Sequence, residues 1–341
     1  MNDARLIIIG DLHFRGENPR NRKDNYSEAI LTKLYEVFQI ARDYEVDAII
    51  IPGDVFDSSS VSLYTIGRLA DFLITCKQKF RIEVLAISGN HDLPAGNKGA
   101  ISRTPYGLLT KLGYLHDLED YDFEVKESTS PFEIPSALIT GCGFDYQTDT
   151  SEGLNQYIAG QPYADGYPVI HVVHSMLLAS PPTFPMRHTL IDQVETDADI
   201  IISGHYHEGF GVIRRKDGKL FINPGALCRL SASEAEMKRT VQVALLTIRS
   251  KTDFEAELIP LQSARPAEEV LDREAIVDKK EHENWLESFF ESLSHEGEAK
   301  FMEVREIVDS IASREKIRPE VKDEALRRIG EAREKLGRVV V

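Results

Sequence analysis

Seven side chains of metal-binding type stand just after apolar runs in this chain. Leu6-Ile7-Ile8-Ile9-Gly10 leads to Asp11 and His13. Ile49-Ile50-Ile51-Pro52-Gly53 leads to Asp54, and Val84-Leu85-Ala86-Ile87-Ser88-Gly89 leads to Asn90, followed by His91 and Asp92. Residues 169–173 lead to His174, and Ile200-Ile201-Ile202-Ser203-Gly204 to His205 and His207. A short apolar run that stops at Gly and a polar residue reads as a buried parallel strand delivering a side chain to the edge of a sheet. Five such deliveries suggest one site at the C-terminal strand ends, where open α/β sheets hold their ligands. Mixed oxygen and imidazole donors suit Mn²⁺, Fe²⁺ or Zn²⁺ better than Ca²⁺ or Mg²⁺. Asp54 is the natural centre, because a carboxylate has two oxygens and can bridge two ions. Ions about 3.5–4 Å apart orient water, lower its pKa and stabilise both oxygens of an in-line displacement at phosphorus. Asp11-Leu12-His13 and His205-Tyr206-His207 are i, i+2 pairs, and in an extended segment such pairs face one side.

These residues need elements to carry them. Residues 2–9 read as the first strand, and residues 27–44 have apolar positions at helical spacing, Ile30, Leu31, Leu34, Val37, Phe38 and Ala41. The Asp54 strand, a helix from about Leu63 to Cys76 and the Asn90 strand complete a βαβαβ series with short connections. Parallel strands with right-handed crossovers are therefore expected. Residues 94–107 read as a Gly-rich loop beside the site, 125–142 as edge or antiparallel strands, and 148–160 as a short helix. His171, within the His174 strand, reads as a packed core residue. Arg15, just past His13, suits a phosphate contact, since a guanidinium fork matches phosphate oxygens; a solvated arginine is the other reading.

At roughly 150 residues per domain, 341 residues make about two domains or one with an appendage. A hydrophobic fraction of 42% and a charged fraction of 28% fit a globular chain. No apolar run approaches the roughly 18 residues of a membrane span. No signal-peptide pattern precedes the first strand, so the expected compartment is the cytoplasm. Cys76, Cys142 and Cys228 lie away from the motifs and read as reduced thiols. That spacing also removes the usual structural zinc arrangement. The formal net charge of −16 argues against affinity driven by a broad basic face. It leaves phosphoester chemistry open, because bound cations invert the local sign. After Arg265-Pro266 the chain turns charge-rich and helical in pattern, with faces built on Trp285, Phe289 and Leu293, on Phe301, Val304, Val308 and Ile311, and on Val321, Ala325 and Ile329.

The set Gly10-Asp11-Leu12-His13, Gly53-Asp54-Val55-Phe56-Asp57, Gly89-Asn90-His91-Asp92, His174 and Gly204-His205-Tyr206-His207 resembles the calcineurin-like metallophosphoesterase signature. Gly-Asp-Val-Phe-Asp before Ser58-Ser59-Ser60, the Gly-Asn-His-Asp-Leu-Pro run and Asn223-Pro224-Gly225 resemble its SbcD-type DNA-repair nuclease branch. The resemblance implies an α/β fold, a four-layer α-β-β-α sandwich with a C-terminal helical extension. It implies that Asp11, His13, Asp54 and His207 hold one ion and that Asp54, Asn90, His174 and His205 hold the other. Mn²⁺ comes first, with Fe²⁺ or Zn²⁺ as alternatives. His91 would act on the phosphate as a catalytic group, and Asp92 would orient His91. The implied activity is that of a Mn-dependent DNA exonuclease or endonuclease working with an SbcC-type SMC-like ATPase; a phosphatase or phosphodiesterase for a small nucleotide or a phosphoprotein is the alternative. A homodimer is left open. The expected organisation is a catalytic domain over 1–225, strands completing the second sheet or a short cap over 226–265, and a helical partner-binding or packing region over 266–341.

Overall fold

The computed structural model describes residues 3–19, 21–126, 135–160, 166–182 and 185–272, with scattered positions between 308 and 328. The chain divides into two compact units, Met1–Asp272 and Arg273–Val341.

The first unit starts with β1 (Ala4–Ile8), α1 (Tyr26–Asp43), β2 (Ala48–Ile51), α2 (Leu63–Phe80) and β3 (Glu83–Ala86), the expected βαβαβ series. The helices begin where side chains can cap them. The Asn25 side chain accepts from the Glu28 N–H, and the Ser62 side chain from the Thr65 N–H. α3 (Pro105–Lys111) follows, then β4 (His116–Asp117), β5 (Phe123–Lys126) and β6 (Pro135–Cys142). Residues 94–107 are thus not all loop. They hold two 3-10 turns, and at their end Thr104 caps a helix that starts with proline, a start signal the sequence does carry. Residues 148–160 contain only a 3-10 turn, Leu154–Tyr157.

Next come β7 (Val169–Ser175), β8 (Leu177–Leu178), β9 (Thr189–Leu190), β10 (Ile200–His205), β11 (Gly211–Arg214), β12 (Leu220–Asn223), the short α4 (Glu234–Lys238), β13 (Gln242–Ile248) and β14 (Phe254–Pro260). Two six-stranded sheets result, ordered β14-β13-β1-β2-β3-β4 and β11-β12-β10-β7-β6-β5. Strands β1 to β4 run parallel in the first, and β12, β10, β7 and β6 in the second. β13 lies antiparallel on β1, pairing Ala4 with Ile248, and β14 on β13, so the strands within residues 226–265 extend the first sheet rather than the second.

Apolar runs are continuous because both faces of each sheet are covered. Ala48 and Ile50 of β2 meet Ile200 and Ile202 of β10 between the sheets, while Ile49 and Ile51 face α1 and α2. The outer face of the second sheet packs Val173 and Ile201 against Tyr157, Ile191 and Val194. This is the α-β-β-α sandwich, with its last layer thinned to 3-10 turns among the described residues. No helix among the described residues is long and apolar enough to cross a membrane. In the second unit, Val308, Ala312, Pro319 and residues 321–326 are helical. The faces expected around Trp285 and Phe301 lie outside the described residues.

Ile50 is fully buried between the sheets. Ile50→Ala is expected to cost about 2–5 kcal/mol in chemical denaturation. Leu63, 84% exposed on α2, is the control, and Leu63→Ala should stay within about 0.5 kcal/mol.

Candidate metal centre

Beyond their strand ends, the loops at 11–14 and 54–57 zip together. The N–H groups of Leu12 and His13 both donate to the Asp54 carbonyl, Phe14 N–H to the Val55 carbonyl, and Asp57 N–H to the Phe14 carbonyl. The second sheet closes on them, because the His205 N–H donates to the Asp11 carboxylate at 3.0 Å. Asp54 Oδ1 accepts the His91 N–H at 2.8 Å, which fixes that carboxylate from the β3 side.

The seven expected ligands converge. Asp11, His13, Asp54 and His207 bring ligand atoms within 4.8 Å of one another, and so do Asp54, His174 and His205. His13 Nε2 lies 3.0 Å from His207 Nε2 and 3.5 Å from Asp54 Oδ2. His207 Nε2 lies 3.4 Å from Asp11 Oδ2. On the other side, His174 Nε2 lies 3.4 Å from Asp54 Oδ2 and 3.0 Å from Asn90 Oδ1. Asp54 belongs to both groups. His174 Nδ1 donates to the Pro52 carbonyl at 2.7 Å, which turns Nε2 toward the cluster.

This donor set fits a pair of cations. Asp54 Oδ2 is buried and has no hydrogen-bond donor among the described residues, and His205 Nδ1 is likewise without a partner. An orphaned carboxylate oxygen with zero exposure calls for positive charge. Electrostatics agree. Burial pushes the imidazoles of His13 and His205 down to about 4, so at neutral pH both hold lone pairs to offer. Burial also opposes charge on His174, yet the Asp54 and Asp11 carboxylates outweigh it and carry that imidazole up to about 10; these carboxylates call for positive charge at this point, which a bound cation would supply in place of the imidazole proton. Burial would raise Asp54, but His174 and His13 hold its carboxyl well below the usual carboxylate range.

The backbone supplies what strand alternation does not. His13, Asp54 and His205 all have positive φ, 47°, 50° and 70°. Asp11 and His13 therefore do not reach one cluster by extended geometry, as their i, i+2 spacing suggests; a left-handed residue turns His13 back. Three non-glycine residues in that region of φ store strain at the ligands themselves. Two glycines make the approach feasible. A Cβ on Gly53 would lie 2.2 Å from His174 Nδ1, and one on Gly89 would lie 2.1 Å from Asp54 Oδ1.

The orienting partner of His91 differs from the expected one. Asp92 is buried and accepts N–H groups from Phe56 (2.9 Å), Val55 (3.1 Å) and Gly89 (3.0 Å). It ties the β2 loop to the β3 loop through their backbones. His91 Nδ1 instead faces the Asp57 carbonyl at 2.8 Å. A buried carboxylate next to three free N–H groups satisfies them first. Asp57 was not among the expected site residues, although it is the second acid of Gly-Asp-Val-Phe-Asp. Its carboxylate lies 3.6 Å from His13 Nδ1 and 2.8 Å from the Arg15 guanidinium. It groups with His13 and His91. Asn223, named above only within the Asn223-Pro224-Gly225 run, donates from Nδ2 to the Tyr206 carbonyl, between His205 and His207. His171 is packed as expected, between Thr140 and the Gln156 carbonyl.

Two facing mixed sheets with a carboxylate-centred Asp, Asn and His cluster at their strand ends define a metallophosphoesterase. The chain belongs to the calcineurin-like phosphoesterase family, whose sequence pattern matches residues 4–209. A curated relative, the DNA double-strand break repair protein Mre11 of Nanoarchaeum equitans, is 36% identical over 87 residues, 26% of this chain and 23% of that protein. The chain thus matches about a quarter of that relative's length. Among solved structures, a dimetal phosphatase from Danio rerio aligns over 76% of this chain and 99% of its own at 14% identity, with a TM-score of 0.42.

Asp54 is shared by both ligand groups, and His207 belongs to one. Asp54→Asn keeps the shape and loses the charge, so Mn²⁺ titration should show both equivalents weakened by about tenfold or more. His207→Ala should weaken one equivalent. Equal effects of the two substitutions would contradict the shared position of Asp54.

Proposed function

We propose that the chain is a dinuclear metal-dependent phosphodiesterase that cleaves DNA as an exonuclease or endonuclease, with Mn²⁺ as its metal. The observation that carries this reading is the orphaned Asp54 Oδ2, set between two groups of ligands. Asp11, His13, Asp54 and His207 would hold one ion, and Asp54, Asn90, His174 and His205 the other. When bound, the pair of cations supplies a water nucleophile at neutral pH and counter-charge for phosphate oxygens. The chain's own groups do the rest. His91, whose Nδ1–H donates to the Asp57 carbonyl, keeps Nε2 free to face the phosphate; as the imidazolium it would give its Nε2 proton to the leaving oxygen and be left as the neutral Nδ1–H ring. The Asp92 carboxylate locks the two loops that carry Asp54 and His91 into one frame. The likeness to Mre11 supports DNA as the substrate.

In this reading the partner is an SbcC-type coiled-coil ATPase, gripped by the C-terminal region over residues 266–341, and the compartment is the cytoplasm. The partner would supply the basic surface that a chain of net charge −16 lacks. The same charge favours the second reading, a phosphatase or phosphodiesterase for a small nucleotide or a phosphoprotein.

The test is a Mn²⁺ assay on linear and hairpin DNA, with and without the ATPase, beside a nucleotide diester and a phosphopeptide. Cleavage of DNA in either setting is expected. Turnover of a small substrate with no DNA cleavage in either setting would replace the first reading by the second. His91→Asn should lower kcat by about 10² or more while metal content stays the same. Loss of metal in that variant would make His91 a ligand instead.

A further inference from the structure

The stretch that follows β12 lies beyond the residues matched by the family pattern, yet it touches the ligand loops of both sheets. Asn223 Oδ1 accepts the Gly225 N–H, and its Nδ2 donates to the Tyr206 carbonyl at 3.1 Å. The Ala226 N–H donates to the His207 carbonyl at 2.9 Å, and the Leu227 N–H to the Asp11 carbonyl at 3.0 Å. One short strip of backbone therefore braces two ligands, Asp11 from the first sheet and His207 from the second.

A buried arginine holds this strip. Arg239 donates from Nη1 to the Ala226 carbonyl at 2.9 Å and from Nη2 to the Cys228 carbonyl at 2.8 Å. Its Nε donates to Glu236 at 2.9 Å, and both side chains are nearly inaccessible. The guanidinium thus ties down the carbonyls on either side of Leu227. A second buried arginine, Arg229, fixes the far end through the carbonyls of Glu236 (2.9 Å), Arg239 (3.0 Å) and Arg265 (3.2 Å). The other ligand group has mostly different supports. His174 is set by the Pro52 carbonyl at 2.7 Å and meets Asn90 at 3.0 Å, and neither touches the strip at 226–228 among the contacts described, while His205 reaches it only at one remove, through its N–H on the Asp11 carboxylate.

We propose that Arg239 is a positioning residue for the ion held by Asp11, His13 and His207, and that it leaves the ion held by Asn90, His174 and His205 largely untouched. The proposal rests on the two-ion reading of the centre but not on the choice of substrate. Freed from Arg239, residues 226–228 no longer present two N–H donors at fixed places. Asp11 and His207 then lose the backbone bonds that hold their separation, and a group of ligands that must be ordered at binding binds more weakly. Partners one step behind the ligands shift metal affinity by roughly 10–100-fold.

The test is Mn²⁺ titration of the full chain by calorimetry, with electron paramagnetic resonance to separate a spin-coupled pair from a single ion. Wild type is expected to take two ions and show the coupled signal. Arg239→Gln should bind one ion as wild type does, the other about tenfold or more weaker, and show the isolated signal at one equivalent. Arg239→Lys, a point charge without the fork, should fall between them. Should Arg239→Gln not fold, Glu236→Gln carries the test in the same direction with a smaller change. Two ions weakened alike, or neither weakened, would overturn the role of Arg239 while leaving the two-ion centre standing. Wild type taking up a single ion would overturn the centre, and the inference with it.

Discussion

An oxygen atom with no donor among the described residues organises the first unit. Asp54 Oδ2 is sealed from solvent and faces imidazoles at 3.4 and 3.5 Å, while its sister oxygen is satisfied by the His91 N–H. Burying a carboxylate is costly unless opposite charge meets it. The fold accepts that cost at the end of a strand whose every residue is buried. It then gathers four histidines and a second aspartate around the same point, through two sheets that share no strand. The core between those sheets does more than stabilise. It sets the distance between Asp54 on one sheet and His174 and His205 on the other, so packing error there becomes ligand error at the centre.

Rigidity at such a point has to come from the backbone. Loops ordinarily vary, yet these are stapled on several sides: by each other through the Asp54 and Val55 carbonyls, by Asp92 through three N–H groups, and by the strip that Arg239 restrains. That density of bonding is what can hold three non-glycine residues at positive φ. It also explains why Asp92 serves the frame rather than His91. Three converging N–H groups in a dry interior need an acceptor, whereas His91 is met by the Asp57 carbonyl.

Much of this was legible in the sequence. A parallel strand buried on both faces writes itself as a run of isoleucines and valines, and its end is marked by glycine and a polar residue. The first three strands could be read on that basis, the two long helices from their 3–4 spacing, and the seven side chains that converge at the strand ends from the polar residues that close the runs. What escaped has no local signature. The pairing of Ala4 with Ile248 joins segments hundreds of positions apart, and nothing in residues 242–248 says which sheet they join. The left-handed turn at His13 cannot be told from an extended Asp-X-His. The partner of His91 is a backbone carbonyl, which every residue possesses and no sequence advertises. By contrast, the helix at Pro105 does carry a local signal, Thr104-Pro105, which competes with the loop pattern of the glycines before it.

The acidity of the chain bears differently on its two scales. Over the whole surface a net charge of −16 repels a polyanion, and at physiological ionic strength that repulsion acts within about 8 Å. At the centre the sum is local. Asp11 and Asp54 bring two negative charges, and two divalent cations bring four positive ones, so a loaded centre is positive where phosphate must sit while an empty one is not. Metal loading and substrate attraction are then one event rather than two. A surface that repels polyanions elsewhere would confine an anionic phosphoester to that spot. The anionic exterior is thus compatible with phosphoester cleavage at a centre loaded with cations.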